Sequence, residues 1–311
     1  MTAAGYTAVR DGGAGLIELS ERGLIRVSGS EATMFLNGLV TNDVKSLPEH
    51  RWMPALFPTV QGRLIGAVRI ARLKDGFLID TERASHDAVL KTISRFTMAG
   101  DFKVAELTDE SALLSLQGAR AGEVIAKVLP EISADMPRNG VSEIDGVTLM
   151  RATHTGEDGF DLVVDSARAS ELKQRLQDEG ATPVDQETFE ILRIEAGIAR
   201  FGRDMDETNV IPETNLDDAV SYTKGCYVGQ EIIVRIKHRG HPAKKLVGLK
   251  SDHTLETGAS VTSAAVSPKL GHIGLGYVRY ESIEPGTNVI LDNDATATVT
   301  ELPFIRGSWY E

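Results

Sequence analysis

A strand–turn–helix pattern that occurs twice constrains the fold of this chain more than any other feature. Residues 76–85 read GFLIDTERAS and residues 159–170 read GFDLVVDSARAS, so each copy leads from a strand through a polar turn into a helix. The first helix places Val89, Ile93 and Phe96 on one apolar face. Two such copies predict a pair of α+β layers, each a sheet with helices on one face, and a ligand site in the groove between them.

The C-terminal part has a different sequence pattern. Beyond about residue 243, short strand-like runs such as residues 273–278 and 295–300 alternate with Gly, Pro and Ser turns. This spacing predicts a small all-β barrel or sandwich.

Three local signals predict where helices begin and end. Ser28, with Glu31 three residues later, matches a capping box at the start of a helix. Asp185 is a predicted N-cap, and Gly197 is predicted to end the same helix in the left-handed conformation.

Composition bounds the protein class. The chain has 311 residues, 41% of them hydrophobic and 25% charged, which is typical of a soluble protein of two or three domains. One cysteine excludes an internal disulfide framework and fits a reducing compartment, so we expect a cytoplasmic protein. The sequence shows no signal peptide and no membrane-spanning run, so no membrane partner is expected. A net charge of −12 argues against general nucleic-acid binding.

The single cysteine, Cys226, lies in the polar stretch of residues 221–235. Gly225 and a second glycine bracket it, which allows a tight turn that exposes the thiol. Lys224 and Arg235 flank it, and a nearby cation favours the reactive thiolate. The residues alone leave open the commoner alternative of a small, buried, inert cysteine.

A basic run follows at residues 237–245, where an otherwise acidic chain concentrates positive charge. It predicts a local site for an anion, with a solvated face as the alternative. No metal site is predicted: the acidic loop of residues 204–215 lacks the spacing of a calcium loop, and His238 and His241 have no evident third ligand.

The sequence of residues 224–231, Lys-Gly-Cys-Tyr-Val-Gly-Gln-Glu, closely resembles the signature of the YgfZ family. These folate-binding proteins are related to the T-protein, the aminomethyltransferase of glycine cleavage. Residues 35–44, the Gln-Gly-Arg turn at residues 61–63 and Leu-Arg-Ile-Glu-Ala-Gly at residues 192–197 also resemble phrases of this superfamily. The resemblance extends over about residues 19–278.

The resemblance implies a T-protein-like α+β fold of two interlocked α+β domains plus a C-terminal β-barrel. Residues 1–242 would form the folate-binding region, with one subdomain centred on about residues 50–107, and residues 243–311 the barrel. It implies binding of tetrahydrofolate or a derivative, and assistance in assembling or repairing iron–sulfur clusters. The expected partners are folate and iron–sulfur client or assembly proteins.

The resemblance also assigns roles to residues. Glu195 would accept hydrogen bonds from the exocyclic amine and ring N–H of the pterin, although an ion pair with a nearby arginine is the ordinary alternative. The other expected cofactor-binding residues are Arg193, Asn42, Tyr227 and Gln230. Cys226 would carry the reaction, within a motif that also contains Lys224, Gly225, Gly229 and Glu231.

One departure from the superfamily concerns the strand after the Gln-Gly-Arg turn. True T-proteins carry there an aspartate that is essential for aminomethyl transfer, whereas this chain has Leu64, Ile65, Gly66 and Ala67. Glycine-cleavage activity is therefore not expected, and a tetrahydrofolate-dependent aminomethyl- or methyltransferase is the alternative function. A module that binds tRNA or an acidic protein through the basic run is the third and is not favoured.

Overall fold

In the computed structural model, which describes residues 1–98, 100–132, 136–292 and 294–311, the chain forms three β-sheets and seven α-helices. The first elements are α1 (Ala3–Arg10), β1 (Gly15–Glu18), β2 (Arg22–Ser28), α2 (Ala32–Leu39), β3 (Arg51–Pro58), β4 (Leu64–Leu73), β5 (Gly76–Glu82), α3 (Arg83–Ser94) and β6 (Lys103–Glu106). The middle elements are β7 (Ser111–Gln117), α4 (Ala121–Val128), β8 (Val141–Ile144), β9 (Val147–Arg151), β10 (Gly159–Asp165), α5 (Ser166–Asp178), β11 (Thr182–Pro183) and α6 (Gln186–Glu195). The last are α7 (Gln230–Arg239), β12 (Lys244–Ser251), β13 (Val261–Ser267), β14 (Gly271–Arg279), β15 (Asn288–Ile290) and β16 (Thr296–Thr300).

Two of the sheets confirm the predicted pair of α+β layers. The first has the order β3-β4-β5-β2-β6 and packs α2 and α3 on one face, and the second has the order β11-β1-β7-β10-β9-β8 and packs α4 and α5. The two copies of the repeat are β5–α3 and β10–α5. Val89 and Ile93 are buried as predicted, whereas Phe96 lies beyond the end of α3 and is half-buried.

The two layers are interlocked through the chain itself. Strand β1 belongs to the second sheet, β2–β6 belong to the first, and β7 returns to the second. A common apolar core joins them and includes Ile17 and Leu113 from the second sheet and Leu24 and Leu78 from the first. The interlocked arrangement therefore rests on burial of apolar surface from both sheets. The division of the chain after residue 242 stays a prediction.

The C-terminal strands form an open sheet, so the structure does not show the predicted β-barrel. Its order is β13-β14-β12-β16-β15, and within the described residues no ladder joins the edge strands β13 and β15. Strand β13 instead lies against α6, where Ser263 Oγ accepts a hydrogen bond from Arg193 (2.7 Å) and donates one to Asp204 (2.6 Å). In the described part of the chain, no helix is both long and apolar enough to cross a membrane.

Two of the predicted helix ends are confirmed and one is wrong. The Asp185 carboxylate accepts a hydrogen bond from the backbone N–H of Thr188 (2.7 Å), and Gly197 has a φ of +66°. The capping box does not form, because Ser28 ends β2 and the Glu31 carboxylate accepts from the backbone N–H of Asp101 (2.7 Å). Helices α1 and α7 were not predicted.

Candidate functional site

A cavity of about 560 Å³ lies where the two α+β layers meet the C-terminal part of the chain. Its walls come from the β1–β2 turn, β3, β4, the end of α6, residues 214–216 and 218–219, and the C-terminal segment. The side chains that define its character include Arg22, Trp52, Ala67, Arg69, Arg193, Arg200, Asp218 and Tyr310. The cavity combines apolar surface with a few charged groups, as small-molecule sites do.

One wall of the cavity is held by a chain of buried ion pairs. Arg69 lies between Asp80 (2.6 Å) and Asp161 (2.6 Å), Arg22 reaches the other oxygen of Asp80 (2.5 Å), and His154 reaches Asp161 (2.8 Å). Burial alone would raise the pKa of both aspartates, but the neighbouring positive groups outweigh it and hold each pKa below its ordinary value. These aspartates therefore stay charged and fix the arginines in place.

Glu195, the residue expected to grip the pterin, is completely buried in a cluster of its own. Its carboxylate accepts hydrogen bonds from Tyr6 Oη (2.7 Å), Arg10 Nε (2.8 Å) and Ser267 Oγ (2.6 Å). Arg10 also contacts Glu157 (3.0 Å). Burial and the bond to Glu195 raise the pKa of Tyr6, which therefore remains a donor. A direct contact between Glu195 and a ligand would require these donors to move, and it stays a prediction.

Arg193 lines the cavity, but its N–H groups are taken up by the protein. Its guanidinium contacts Glu190 through Nε (3.0 Å), Asp204 through Nη1 (2.8 Å) and Ser263 through Nη2 (2.7 Å). Arg193 thus joins α6 to β13. Of the five expected cofactor-binding residues, it alone lines the cavity within the described part of the chain.

Lys224 fastens the cysteine-containing loop to α2. Its Nζ donates to the backbone oxygens of Asn37 (2.6 Å), Val40 (2.9 Å) and Asn42 (2.7 Å), at the carbonyl end of that helix. A cation is favoured at this end. Burial lowers the pKa of Lys224 to about 8. The three bonds use the three N–H donors of the ammonium, so its main contacts are with α2.

Asn42 makes a second connection at the same place. Its Nδ2 donates to the backbone oxygens of Pro54 (2.8 Å) and Asp218 (3.1 Å). The amide therefore ties the end of α2 to β3 and to the short helical turn Asp217–Ala219, both of which border the cavity. Asn42 therefore stabilises the cavity wall without lining the cavity itself.

Cys226 is exposed, and the loop around it is held by its backbone. Gly229 has a φ of +75°, and a Cβ on it would lie 2.4 Å from the backbone oxygen of Thr59, so only glycine fits where α7 begins. Gly225 faces open space. No residue of 224–231 lines the cavity as far as the described residues form it.

The remaining motif residues divide between core and surface. Tyr227 is buried, and burial raises the pKa of its phenol to about 12. Gln230 Nε2 donates to the backbone oxygen of Lys224 (3.4 Å), and Glu231 is exposed in the first turn of α7, where a negative charge is favoured.

The basic run forms the last turn of α7 and the start of β12. Asp217 partly neutralises it, because its carboxylate oxygens lie 3.1 Å from Lys237 Nζ and 3.6 Å from Lys245 Nζ. Arg235 and Arg239 are exposed. Binding of an anion, whether the tail of a folate or tRNA, stays a prediction for this surface.

Comparison with known proteins identifies the family. Residues 1–224 match the GCVT N-terminal domain. The chain belongs to the glycine-cleavage T-protein (GCVT) family. It is 32% identical to an aminomethyltransferase of Rubrobacter xylanophilus, over 94% of this chain and 83% of that protein. An aminomethyltransferase of Saccharopolyspora erythraea is 30% identical, over 98% and 90%.

The fold of a solved T-protein agrees with this assignment. Aminomethyltransferase T from Bartonella henselae superposes with a TM-score of 0.89 at 24% identity, over 97% of this chain and 89% of that chain. The T-protein-like α+β fold is therefore confirmed, whereas the narrower YgfZ assignment stays a prediction.

This member of the T-protein family has no carboxylate on the cavity face of β4. A Cβ on Gly66 would meet Val89 of α3 at 2.7 Å, so that position faces the helix. The next residue, Ala67, lines the cavity, and so does Arg69. The segment in which this chain lacks the aspartate expected of T-proteins thus contributes to the wall of the cavity.

Several residues of this T-protein-like cavity could not be recognised from local sequence patterns. Arg22, Arg69, Trp52 and Asp218 come from separate elements and meet only in the folded chain. The alternation of Ala67 and Arg69 along β4 was the one local hint that they share a face. The guanidinium of Arg69 lies 5.5 Å from the centre of the Trp52 ring.

Proposed function

We propose that the protein binds a reduced folate, tetrahydrofolate or a derivative, in the central cavity and uses it in a tetrahydrofolate-dependent one-carbon transfer. The observation that carries the proposal is the cavity itself, whose 560 Å³ suits a ligand of this size and which lies in a chain of the T-protein family. The names of the similar proteins support a transferase.

The test is direct binding of 5-formyltetrahydrofolate, a reduced folate that resists oxidation, measured by calorimetry. Ala67→Phe would fill the cavity from β4 and should lower affinity at least about 10-fold, because the ligand must compete with the new ring. Val60→Phe places the same ring on the exposed hairpin and should leave affinity unchanged. Equal binding by both variants would place the ligand elsewhere.

Aminomethyl transfer from glycine cleavage is not expected, since Ala67 and Arg69 stand on the cavity face of β4 where no carboxylate is available. The purified protein, mixed with the other glycine-cleavage components, should form no methylenetetrahydrofolate above background. Robust formation would contradict this part of the proposal.

A second function, assistance to iron–sulfur cluster assembly, is favoured by one observation. Cys226 is exposed on a loop that Lys224 and Gly229 hold in place, so its thiol can reach a partner protein. One thiolate cannot hold a cluster alone, but it can exchange with a disulfide or persulfide of a partner. Cys226→Ser should fold and bind folate normally yet fail to restore iron–sulfur enzymes in cells that lack the protein. Thr223→Ala, an exposed neighbour, is the control, and full restoration by Cys226→Ser would contradict the role.

A further inference from the structure

His154 and Asp161 form a pair at the wall of the cavity to which the folate proposal gives no role. His154 lines the cavity, and its Nε2 lies 2.8 Å from Oδ2 of Asp161, a completely buried residue of β10. Among the described residues that line the cavity, His154 is the only histidine. The pair therefore places an imidazole, backed by a buried carboxylate, beside the ligand space.

The imidazole of His154 is held on several sides. The backbone N–H of His154 donates to Gln117 Oε1 (2.9 Å), and Gln117 is completely buried at the end of β7. The ring of Phe189 from α6 packs edge-on against the imidazole, with the ring centres 6.2 Å apart. Together with the bond to Asp161, these contacts fix the orientation of the imidazole before a ligand binds.

Asp161 decides which nitrogen of the ring carries the proton. Burial alone would raise the pKa of Asp161, but the contacts with His154 and Arg69 outweigh it and lower the pKa. An ionised carboxylate only accepts hydrogen bonds, so Nε2 carries the proton, and Nδ1 of the neutral ring is then an acceptor. No described residue forms a hydrogen bond with Nδ1. Its lone pair is therefore available to a ligand.

The carboxylates that line the cavity already interact with cationic side chains or with backbone N–H groups of the protein. The first kind are Glu18, Glu21 and Glu82, and the second is Asp218. Compared with these described carboxylates, the imidazole of His154 offers an oriented acceptor that no protein donor occupies.

We propose that His154 selects the folate by accepting a hydrogen bond at Nδ1 from the N–H of N5, so that the cavity favours a reduced folate whose N5 is unsubstituted. The proposal rests on the folate binding proposed above. N5 of tetrahydrofolate is a secondary amine that must release its proton when it bonds to a carbon, and a neutral imidazole is a suitable acceptor for that proton. A folate with a substituent on N5 has no such N–H and would leave Nδ1 without a donor.

The experiment measures dissociation constants of tetrahydrofolate and 5-methyltetrahydrofolate, without oxygen, for the wild type and His154→Gln. The glutamine amide can still donate to Asp161 from the position of Nε2, but it has no acceptor at the position of Nδ1. The wild type should prefer tetrahydrofolate at least about 10-fold. His154→Gln should bind tetrahydrofolate about 10-fold more weakly than the wild type and change the affinity for 5-methyltetrahydrofolate less than about 3-fold.

His86 supplies the matched control. It is also a completely buried histidine whose Nε2 lies 2.8 Å from a carboxylate, that of Glu106, but it does not line the cavity. His86→Gln should therefore keep the wild-type preference between the two folates, even if it lowers stability. Thermal midpoints of the three proteins check that each is folded.

A second measurement needs no variant to fold. In wild-type protein with ¹⁵N-labelled histidine, the Nδ1 resonance of His154 should shift when tetrahydrofolate binds and should shift less with 5-methyltetrahydrofolate. Equal shifts with the two compounds would overturn the hydrogen bond from N5.

The outcomes separate this proposal from the folate proposal. If the wild type binds both compounds equally well, or if His154→Gln keeps the wild-type preference, the role of His154 is wrong and folate binding stands. If His154→Gln loses the preference because it binds 5-methyltetrahydrofolate more tightly, His154 acts through its bulk and the hydrogen bond is wrong. If the wild type binds neither compound, both proposals fall together.

Discussion

The cluster around Glu195 and the turn that carries Asp218 show two different surroundings for a carboxylate near the cavity. Glu195 is completely buried and has three donors from α1 and the C-terminal sheet. Asp218 is accessible from the cavity and, among the described residues, has no cationic partner. The Glu195 carboxylate is held by buried side-chain donors, so it stabilises the fold, whereas the Asp218 carboxylate interacts with the backbone N–H groups of Asp218 and Ala219 and lines the cavity.

The two regions also differ in what they join. The Glu195 cluster connects α1, α6, the loop with Glu157 and Ser267 at the end of β13, so it links the N-terminal helix to the C-terminal sheet. The turn at Asp218 is held by Asn42 and Thr41, which follow α2, and by the surface contacts of Asp217 with Lys237 and Lys245. Loss of the first should therefore affect global unfolding, and loss of the second mainly the cavity.

The largest expected effect is on the Glu195 cluster. Glu195→Ala should lower the free energy of unfolding by about 3–5 kcal/mol, because Arg10 would remain buried with only one of its two carboxylate partners, Glu157. Denaturant titration measures it. Glu187→Ala, on the same helix and with its side chain 74% exposed, should change stability by less than about 0.5 kcal/mol.

The same variant also tests Glu195 as a pterin ligand. If Glu195→Ala kept the stability of the wild type but lost folate affinity, Glu195 would be a ligand-binding residue and the contrast with Asp218 would be wrong. A loss of stability without a loss of affinity in the folded fraction would confirm the structural role.

Local patterns explain which features could be predicted from the sequence. The strand–helix copies, the Asp185 cap and Gly197 depend on residues within a few positions of one another, and all are present in the structure. The Ser28 cap also looked local, but Asp101, distant in sequence, supplies the competing donor for Glu31. A local rule fails where tertiary contacts offer a better partner.

The candidate site could be predicted only in part, because its contacts are long-range. Glu195 receives donors from Arg10 and Ser267, which are 185 and 72 residues away, and no spacing in the sequence reveals them. Asp217 and Asp218 are adjacent and identical in type, and only the fold sends one to Lys237 and the other to the cavity. Residue identity showed that carboxylates were present but did not show which of them faces the cavity.

An intermediate effect is expected at Asn42, which supports the Asp218 turn. Asn42→Ala leaves the backbone oxygens of Pro54 and Asp218 without their donor and should cost about 1–2 kcal/mol of unfolding free energy. Folate affinity should fall as well, because the turn loses the side chain that donates to the backbone oxygen of Asp218. Ser46→Ala, which removes an exposed hydroxyl bonded to Asp43, is the control. A normal affinity with reduced stability would show that the position of Asp218 does not depend on Asn42.

The smallest expected effect has the opposite sign. The pKa of Asp218 is raised in the folded protein by loss of hydration and by Asp217, so folding favours its protonated form. Its charge therefore lowers stability once the pH exceeds the ordinary aspartate pKa of about 4, and it has no such effect below that pH. Asp218→Asn should accordingly raise the thermal midpoint slightly at neutral pH, with the gain disappearing as the pH falls to about 4. Asp217→Asn should show no such gain, because it gives up the contact with Lys237. A lower midpoint for Asp218→Asn at neutral pH would mean that the carboxylate stabilises the empty protein. Asp218 and Glu195 would then both stabilise the fold and differ only in how much.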